Sequence, residues 1–168
     1  MKKHLSLRSF EKSEVIFSLI IILVNLFICQ TFAQTTVSKN GNKWQLLVDG
    51  KPFDIKGATF QYVKDVKNYD KHFKDLKFLG VNSIRTWATG KETETLLDAA
   101  HKHGIKVMAG IWMRHGRPGM EDDDQFNYLE DKEGMLAMYE GAIEFVKKYK
   151  DHPAVLTWGI GNEVYLNI

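Results

Sequence analysis

With one cysteine and three prolines in 168 residues, the chain has no internal disulfide and few rigid turns. Its fold must be held by a core and by backbone hydrogen bonding. No apolar run reaches the roughly 20 residues that span a bilayer. The longest, Val15 to Cys29, is about 15 residues and is interrupted by Ser18 and Asn25. No sign of charge dominates, since the net formal charge is +2, which gives no electrostatic reason to expect nucleic acid or an anionic membrane surface as partner. Also missing are a Gly-x-Gly-x-x-Gly turn after a first strand and a Gly-rich loop ending in Lys-Ser/Thr. The usual signatures of dinucleotide and nucleoside-triphosphate binding are therefore lacking.

What is present begins with a leader. Lys2, Lys3, Arg8 and Lys12 precede the short apolar run, and Thr31-Phe32-Ala33 follows it with small residues two positions apart. That order fits a secretory signal over residues 1–33, cleaved after Ala33, with export to the periplasm or the extracellular space and no stable membrane insertion afterwards. An uncleaved anchor is the competing reading. A lipoprotein cysteine at Cys29 is disfavoured by bulky Ile28. Cleavage would remove the cysteine along with four of the 23 basic and two of the 21 acidic residues, leaving 19 of each. The mature domain is then neutral, and its aromatics (10 Phe, 6 Tyr and 4 Trp in the whole chain) suit an uncharged substrate with C–H faces to stack on.

Residues 34–43 read as a flexible lead-in, with the polar stretch Gln34 to Asn42 extended or disordered. Trp44 to Val48 has strand character, and Asp49-Gly50 is a strong hairpin turn before Lys51-Pro52. Phe53 to Ala58 continues as a second strand. A beat of helix then strand follows three times. Helix 69–79 is stopped by Gly80 before strand 81–87, and helix 93–103 is stopped by Gly104 before strand 105–112. A polar loop over 114–130 then leads to helix 132–150 and strand 154–160. The junctions Leu79-Gly80-Val81 and His103-Gly104-Ile105 repeat one device 24 residues apart. Such alternation indicates right-handed βαβ units on a parallel sheet. The fold class is α/β, and the absent nucleotide signatures favour a (β/α)₈ TIM barrel over an open doubly wound sheet. Residues 44–168 hold a short hairpin and the first four βα units, the N-terminal half of such a domain. Isolated, a half-barrel would leave strand edges unpaired and should be poorly soluble or assemble.

In a (β/α)₈ barrel the reactive groups stand at the C-terminal strand ends. Here those ends read Arg85-Thr86-Trp87, Trp112-Met113-Arg114-His115 and Gly161-Asn162-Glu163, with large aromatic rings beside polar or charged groups. Glu121-Asp122-Asp123-Asp124 lacks the alternating ligands and Gly turn of a calcium loop and reads as a solvated acidic loop.

The stretch Asp151-His152-Pro153-Ala154-Val155-Leu156-Thr157-Trp158-Gly159-Ile160-Gly161-Asn162-Glu163 resembles the strand-four signature of retaining glycosidases of clan A, closest to the catalytic barrel of glycoside hydrolase family 2. Val48-Asp49-Gly50-Lys51-Pro52-Phe53-Asp54-Ile55-Lys56-Gly57 resembles that family's lead-in, and Gly80-Val81-Asn82-Ser83-Ile84-Arg85 its strand-two motif. The resemblance implies a retaining glycoside hydrolase or transglycosidase acting on an oligo- or polysaccharide with β linkages, with no cofactor and no metal. It implies Glu163 as acid/base, with a raised pKa, Asn162 on the sugar 2-hydroxyl, and Arg85 deep in the mouth positioning the nucleophile. His115 would contact sugar hydroxyls, and Trp87, Trp112 and Trp158 would be stacking platforms.

Plainer roles compete. Glu163 and Arg85 would serve as a structural ion pair, Asn162 as a turn residue, His115 as a solvated loop side chain, and Trp112 or Trp158 as core filling. Two departures from the family pattern stand out. Ala88 occupies a place where many members carry His, and no strand beyond the fourth supplies the nucleophile carboxylate, which the family takes from strand seven. The chain read alone is thus an inactive fragment of an enzyme. The alternative is a non-catalytic carbohydrate-binding or interaction half-barrel, and coding sequence downstream of Ile168 discriminates the two.

The leader yields a direct prediction. N-terminal sequencing of the exported protein should begin at Gln34, and intact Met1 in the membrane fraction would overturn cleavage.

Overall fold

The computed structural model describes residues 35–88, 90–116 and 126–164. The leader and the acidic loop 121–124 lie outside the described residues.

Two tight turns organise the first sheet. Strand β1 (Thr35–Asn40) pairs antiparallel with β2 (Lys43–Val48), which pairs with the short β3 (Lys51–Pro52). Asp49 and Gly50 both have positive φ, 53° and 74°, as a two-residue type I′ hairpin turn requires. The sequence suggests a flexible lead-in over 34–43, but Thr35–Asn40 there is an ordered strand. Val37 lies opposite Leu46 and Lys39 opposite Trp44, so this strand forms against an apolar partner that local composition does not reveal. The expected second strand, 53–58, is divided. Phe53 still donates its N–H to the Leu46 carbonyl at 2.9 Å, whereas β4 (Gly57–Thr59) belongs to a different sheet.

That second sheet carries the α/β beat. After a 3₁₀ turn at Val66–Asn68, α1 (Tyr69–Phe78) leads to β5 (Ser83–Arg85), α2 (Thr93–Lys102) to β6 (Lys106–Ile111), and α3 (Lys132–Tyr149) to β7 (Val155–Ile160). The four strands are parallel and lie in sequence order, β4-β5-β6-β7. Sequential order is how a barrel grows. The doubly wound sheet reverses direction at a switch point, and no reversal occurs here.

The two glycine junctions are matched down to single hydrogen bonds. After α1, the Gly80 N–H reaches the Lys77 carbonyl at 2.9 Å and the Val81 N–H the Leu76 carbonyl at 3.0 Å. After α2, Gly104 reaches His101 and Ile105 reaches Ala100, both at 2.9 Å. This is the Schellman pattern, with its glycine in the left-handed region, φ 80° and 62°. Each junction caps a helix and leads into the next strand, which begins at Ser83 after α1 and at Lys106 after α2. Helix α3 begins differently, with the Asp131 carboxylate accepting the Gly134 N–H at 2.8 Å.

Helices and sheet meet over one core. Tyr69, Phe73 and Leu76 line one stripe of α1, and Leu96, Leu97 and Ala100 line α2. They pack on Ile84, Ile105, Val107 and Ala109. Phe73 is fully buried and stacks on Phe60 with centroids 5.3 Å apart; burying such a side chain contributes about 1.5–3 kcal/mol. Outside the core, Asp70 joins α1 to α2 by accepting from Lys102 at 2.7 Å and His103 at 2.8 Å. These partners and Lys74 hold its carboxyl well below the usual carboxylate range. This link is therefore present above the ordinary carboxylate pKa and is lost as the carboxylate protonates in strong acid.

Two glycines give opposite predictions. A Cβ at Gly110 would lie 2.3 Å from the Thr86 carbonyl oxygen and 2.5 Å from the Trp87 carbonyl, so Gly110→Ala should destabilise by about 3 kcal/mol, the upper part of the overpacking range. Gly141 in α3 has nothing within 4 Å of that position, and Gly141→Ala should stabilise by about 1 kcal/mol through helix propensity. Denaturant unfolding of the two variants checks both signs.

Candidate functional site

The site is built by parity along the strands. In parallel pairing, residues in register share a face. Ile84, Val107, Ala109 and Trp158 fall on the face that meets the helices, whereas Arg85, Met108 and Thr157 fall on the other, the barrel interior. Arg85 thus rises inward from the end of β5. Its guanidinium lies 4.0 Å from the centre of the Trp87 ring, a cation–π contact, and donates from Nη2 to Asn162 Oδ1 at 2.9 Å. Because Oδ1 is occupied as an acceptor, the Asn162 amide is oriented with Nδ2 left as donor. Arg85 and Glu163 are not ion-paired, so the structural-pair reading of these two residues is corrected.

Asn162 is gripped a second time. His115 is 2% exposed, and its Nε2 lies 2.8 Å from the Asn162 carbonyl oxygen. The solvated-loop reading of His115 is therefore wrong, because the ring is folded under the strand-four turn. Trp112 packs against it with centroids 4.9 Å apart and planes tilted by 56°. The backbone carbonyl of His115 accepts from Phe126 N–H at 3.0 Å.

The turn itself is strained. The Gly161 N–H reaches the Ile111 carbonyl at 2.9 Å, and φ is 73° at Gly161 and 54° at Glu163. Glycine takes the left-handed region without cost; glutamate seldom does. Strain of this kind gathers at working sites. Glu163 is exposed and Asn162 half-buried at the same strand ends that carry Arg85 and His115.

The tryptophans separate. Trp87 and Trp112 are half-buried beside Arg85 and His115. Trp158 sits elsewhere, edge-on to Phe145 of α3 with centroids 5.6 Å apart, on the helix-facing side of β7. Its platform expectation gives way to core packing because Trp158 shares the parity of buried Ala109. Residues not singled out from sequence also shape the site. Gly110 donates its N–H to Thr86 Oγ1 at 3.0 Å, and its missing side chain lets the backbone at Thr86–Trp87 lie directly on β6. A glycine inside an apolar strand signals such an approach. Among the described residues, no three His, Cys, Asp or Glu side chains converge as metal ligands.

Comparison with known proteins places this geometry. Residues 42–167 match the family described as glycosyl hydrolases family 2, TIM barrel domain. A β-glucuronidase of Pongo abelii is 31% identical over 129 residues, covering 71% of this chain and 18% of that protein. Among solved structures, the β-D-glucuronidase of Dictyoglomus thermophilum superimposes with a TM-score of 0.55 at 26% identity, over 78% of this chain and 24% of that one. The exo-chitosanase of Amycolatopsis orientalis gives 0.55 at 20% identity, over 77% and 16%, a likeness of fold. The chain thus spans about a fifth of the length of the curated relatives it matches. With four parallel strands in barrel order and a family match running from the hairpin through the strand-four turn, the chain belongs to the TIM barrel domain of glycosyl hydrolases family 2.

Proposed function

We propose that this chain supplies the acid/base half of the active site of an exported retaining glycoside hydrolase or transglycosidase acting on β-linked glycans. The observation that carries the reading is the convergence of Arg85 and His115 on Asn162, the residue before a left-handed Glu163, at the ends of three adjacent strands. A turn-filling Asn or a surface Glu needs neither grip.

The roles follow from what each group has left to offer. Glu163 stands exposed at the rim, where its carboxyl protonates the departing glycosidic oxygen and then takes a proton from the incoming water. Asn162, with Oδ1 held by Arg85, presents Nδ2 to the sugar 2-hydroxyl, a contact that strengthens as the oxocarbenium-like transition state develops. Trp87 and Trp112 supply apolar faces for the sugar's C–H surface. A retaining mechanism needs a second carboxylate about 5 Å from the first. In this family it comes from the seventh strand, so the proposed activity is that of the whole barrel. The β-glucuronidase relatives make a β-linked glycoside the first substrate class to assay.

The acid/base assignment makes a split prediction. In the full-length gene product, Glu163→Gln should cost about 10²–10⁴-fold on substrates with poor leaving groups, which need protonation in the first step. Aryl glycosides of acidic phenols should retain their glycosylation step and accumulate the covalent intermediate. Azide, which needs no deprotonation, should restore turnover and yield a β-glycosyl azide. Equal slowing of both substrate types with no azide rescue would rule out Glu163 as the acid/base.

A further inference from the structure

We infer that His115 is a positioning residue, which holds Glu163 in its left-handed conformation through the peptide bond that joins Asn162 to Glu163, and that it does not act on the sugar. The inference rests on the acid/base reading of Glu163.

The tautomer comes first. A carbonyl oxygen can only accept, so the 2.8 Å contact from His115 Nε2 to the Asn162 oxygen requires the proton on Nε2. In the singly protonated ring Nδ1 is then a bare acceptor, and it has no partner among the described residues. A buried acceptor without a partner is unfavourable, and an apolar ring of similar size in this position would not carry that cost. What the histidine offers in exchange is the single donor at Nε2.

That donor acts on one particular peptide. The Asn162 carbonyl belongs to the plane whose other end is the Glu163 nitrogen, so gripping the oxygen restrains the rotation that sets φ at Glu163, 54°. Conformations of this kind persist only where the surroundings over-determine them. Among the described residues the turn has two other anchors, Gly161 N–H on the Ile111 carbonyl and Arg85 on Asn162 Oδ1. The first acts before the strained residue and the second on a side chain. Among the described residues, the His115 bond alone acts on the peptide leading into Glu163. The ring is fit for this, being 2% exposed, packed by Trp112, and with its backbone tied to Phe126. At 2% exposure and with Nε2 committed to the Asn162 carbonyl, the ring is closed off from a sugar hydroxyl.

The test compares His115→Phe with His115→Gln in the full-length gene product, beside Glu163→Gln as control. His115→Phe keeps an apolar ring and loses the donor, so kcat should fall about 10²-fold, as a small misplacement of a reacting group does. KM should stay within about threefold, because ground-state sugar contacts are untouched. His115→Gln can return an N–H to the same carbonyl and should recover kcat to within about tenfold of the parent. Equal loss in both His115 variants, or a loss that falls in KM, overturns the proposal while Glu163→Gln stays inactive toward poor leaving groups. Full activity in Glu163→Gln overturns the parent reading instead. Should His115→Phe not fold, ¹⁵N-histidine NMR of the unaltered protein decides: protonated Nε2 with bare Nδ1 supports the proposal, and the opposite tautomer refutes it.

Discussion

The 2.9 Å hydrogen bond from Arg85 to Asn162 spans 77 residues of sequence, and the site depends on it. It exists because β5 and β7 run parallel on either side of β6, and because Arg85 shares a face with Met108 and Thr157. Slipping either strand by one residue would turn Arg85 toward the helices and its partner away. The bond in turn settles which way the Asn162 amide is turned, with Oδ1 held and Nδ2 left as the donor. A structural link between strands two and four and a binding group are thus made by the same three atoms.

Rigidity elsewhere permits strain here. The helix-facing side of the sheet is closed by apolar side chains with little or no exposure, and both Schellman caps satisfy the orphan carbonyls of their helices. At the C-terminal edge the rules relax. Glu163 has a positive φ and His115 has an acceptor without a partner. Both features adjoin Asn162, since Glu163 follows it in the chain and His115 Nε2 holds its carbonyl. A sheet held firmly from the helix side can keep an unfavourable turn in one conformation, and a general acid needs that constancy, since a proton must be delivered along one direction.

Much of the architecture was legible in the residues. Gly80 and Gly104 mark helix ends because only glycine enters the left-handed region freely, and the apolar Val81 and Ile105 behind them lead into the strands that begin at Ser83 and Lys106. Asp49-Gly50 announces its turn for the same conformational reason. These features depend on a few neighbouring residues. The lead-in 34–43 could be read only as extended or disordered, because its strand is made by Leu46 and Trp44 across a turn, which composition within the segment does not reveal.

The chemistry divides along that line. Local backbone preferences and apolar periodicity established the order of helices and strands, and with it the strand ends at which Arg85, His115 and Glu163 had to stand. They could not establish which way a side chain faces once strands pair, since that depends on register between segments dozens of residues apart. Trp158 turned out to pack on Phe145, His115 to hold a backbone carbonyl from beneath, and Gly110 to be small for the sake of Thr86 and Trp87. Each of these depends on a partner distant in sequence, and distance and direction between such partners arise only when the sheet has assembled.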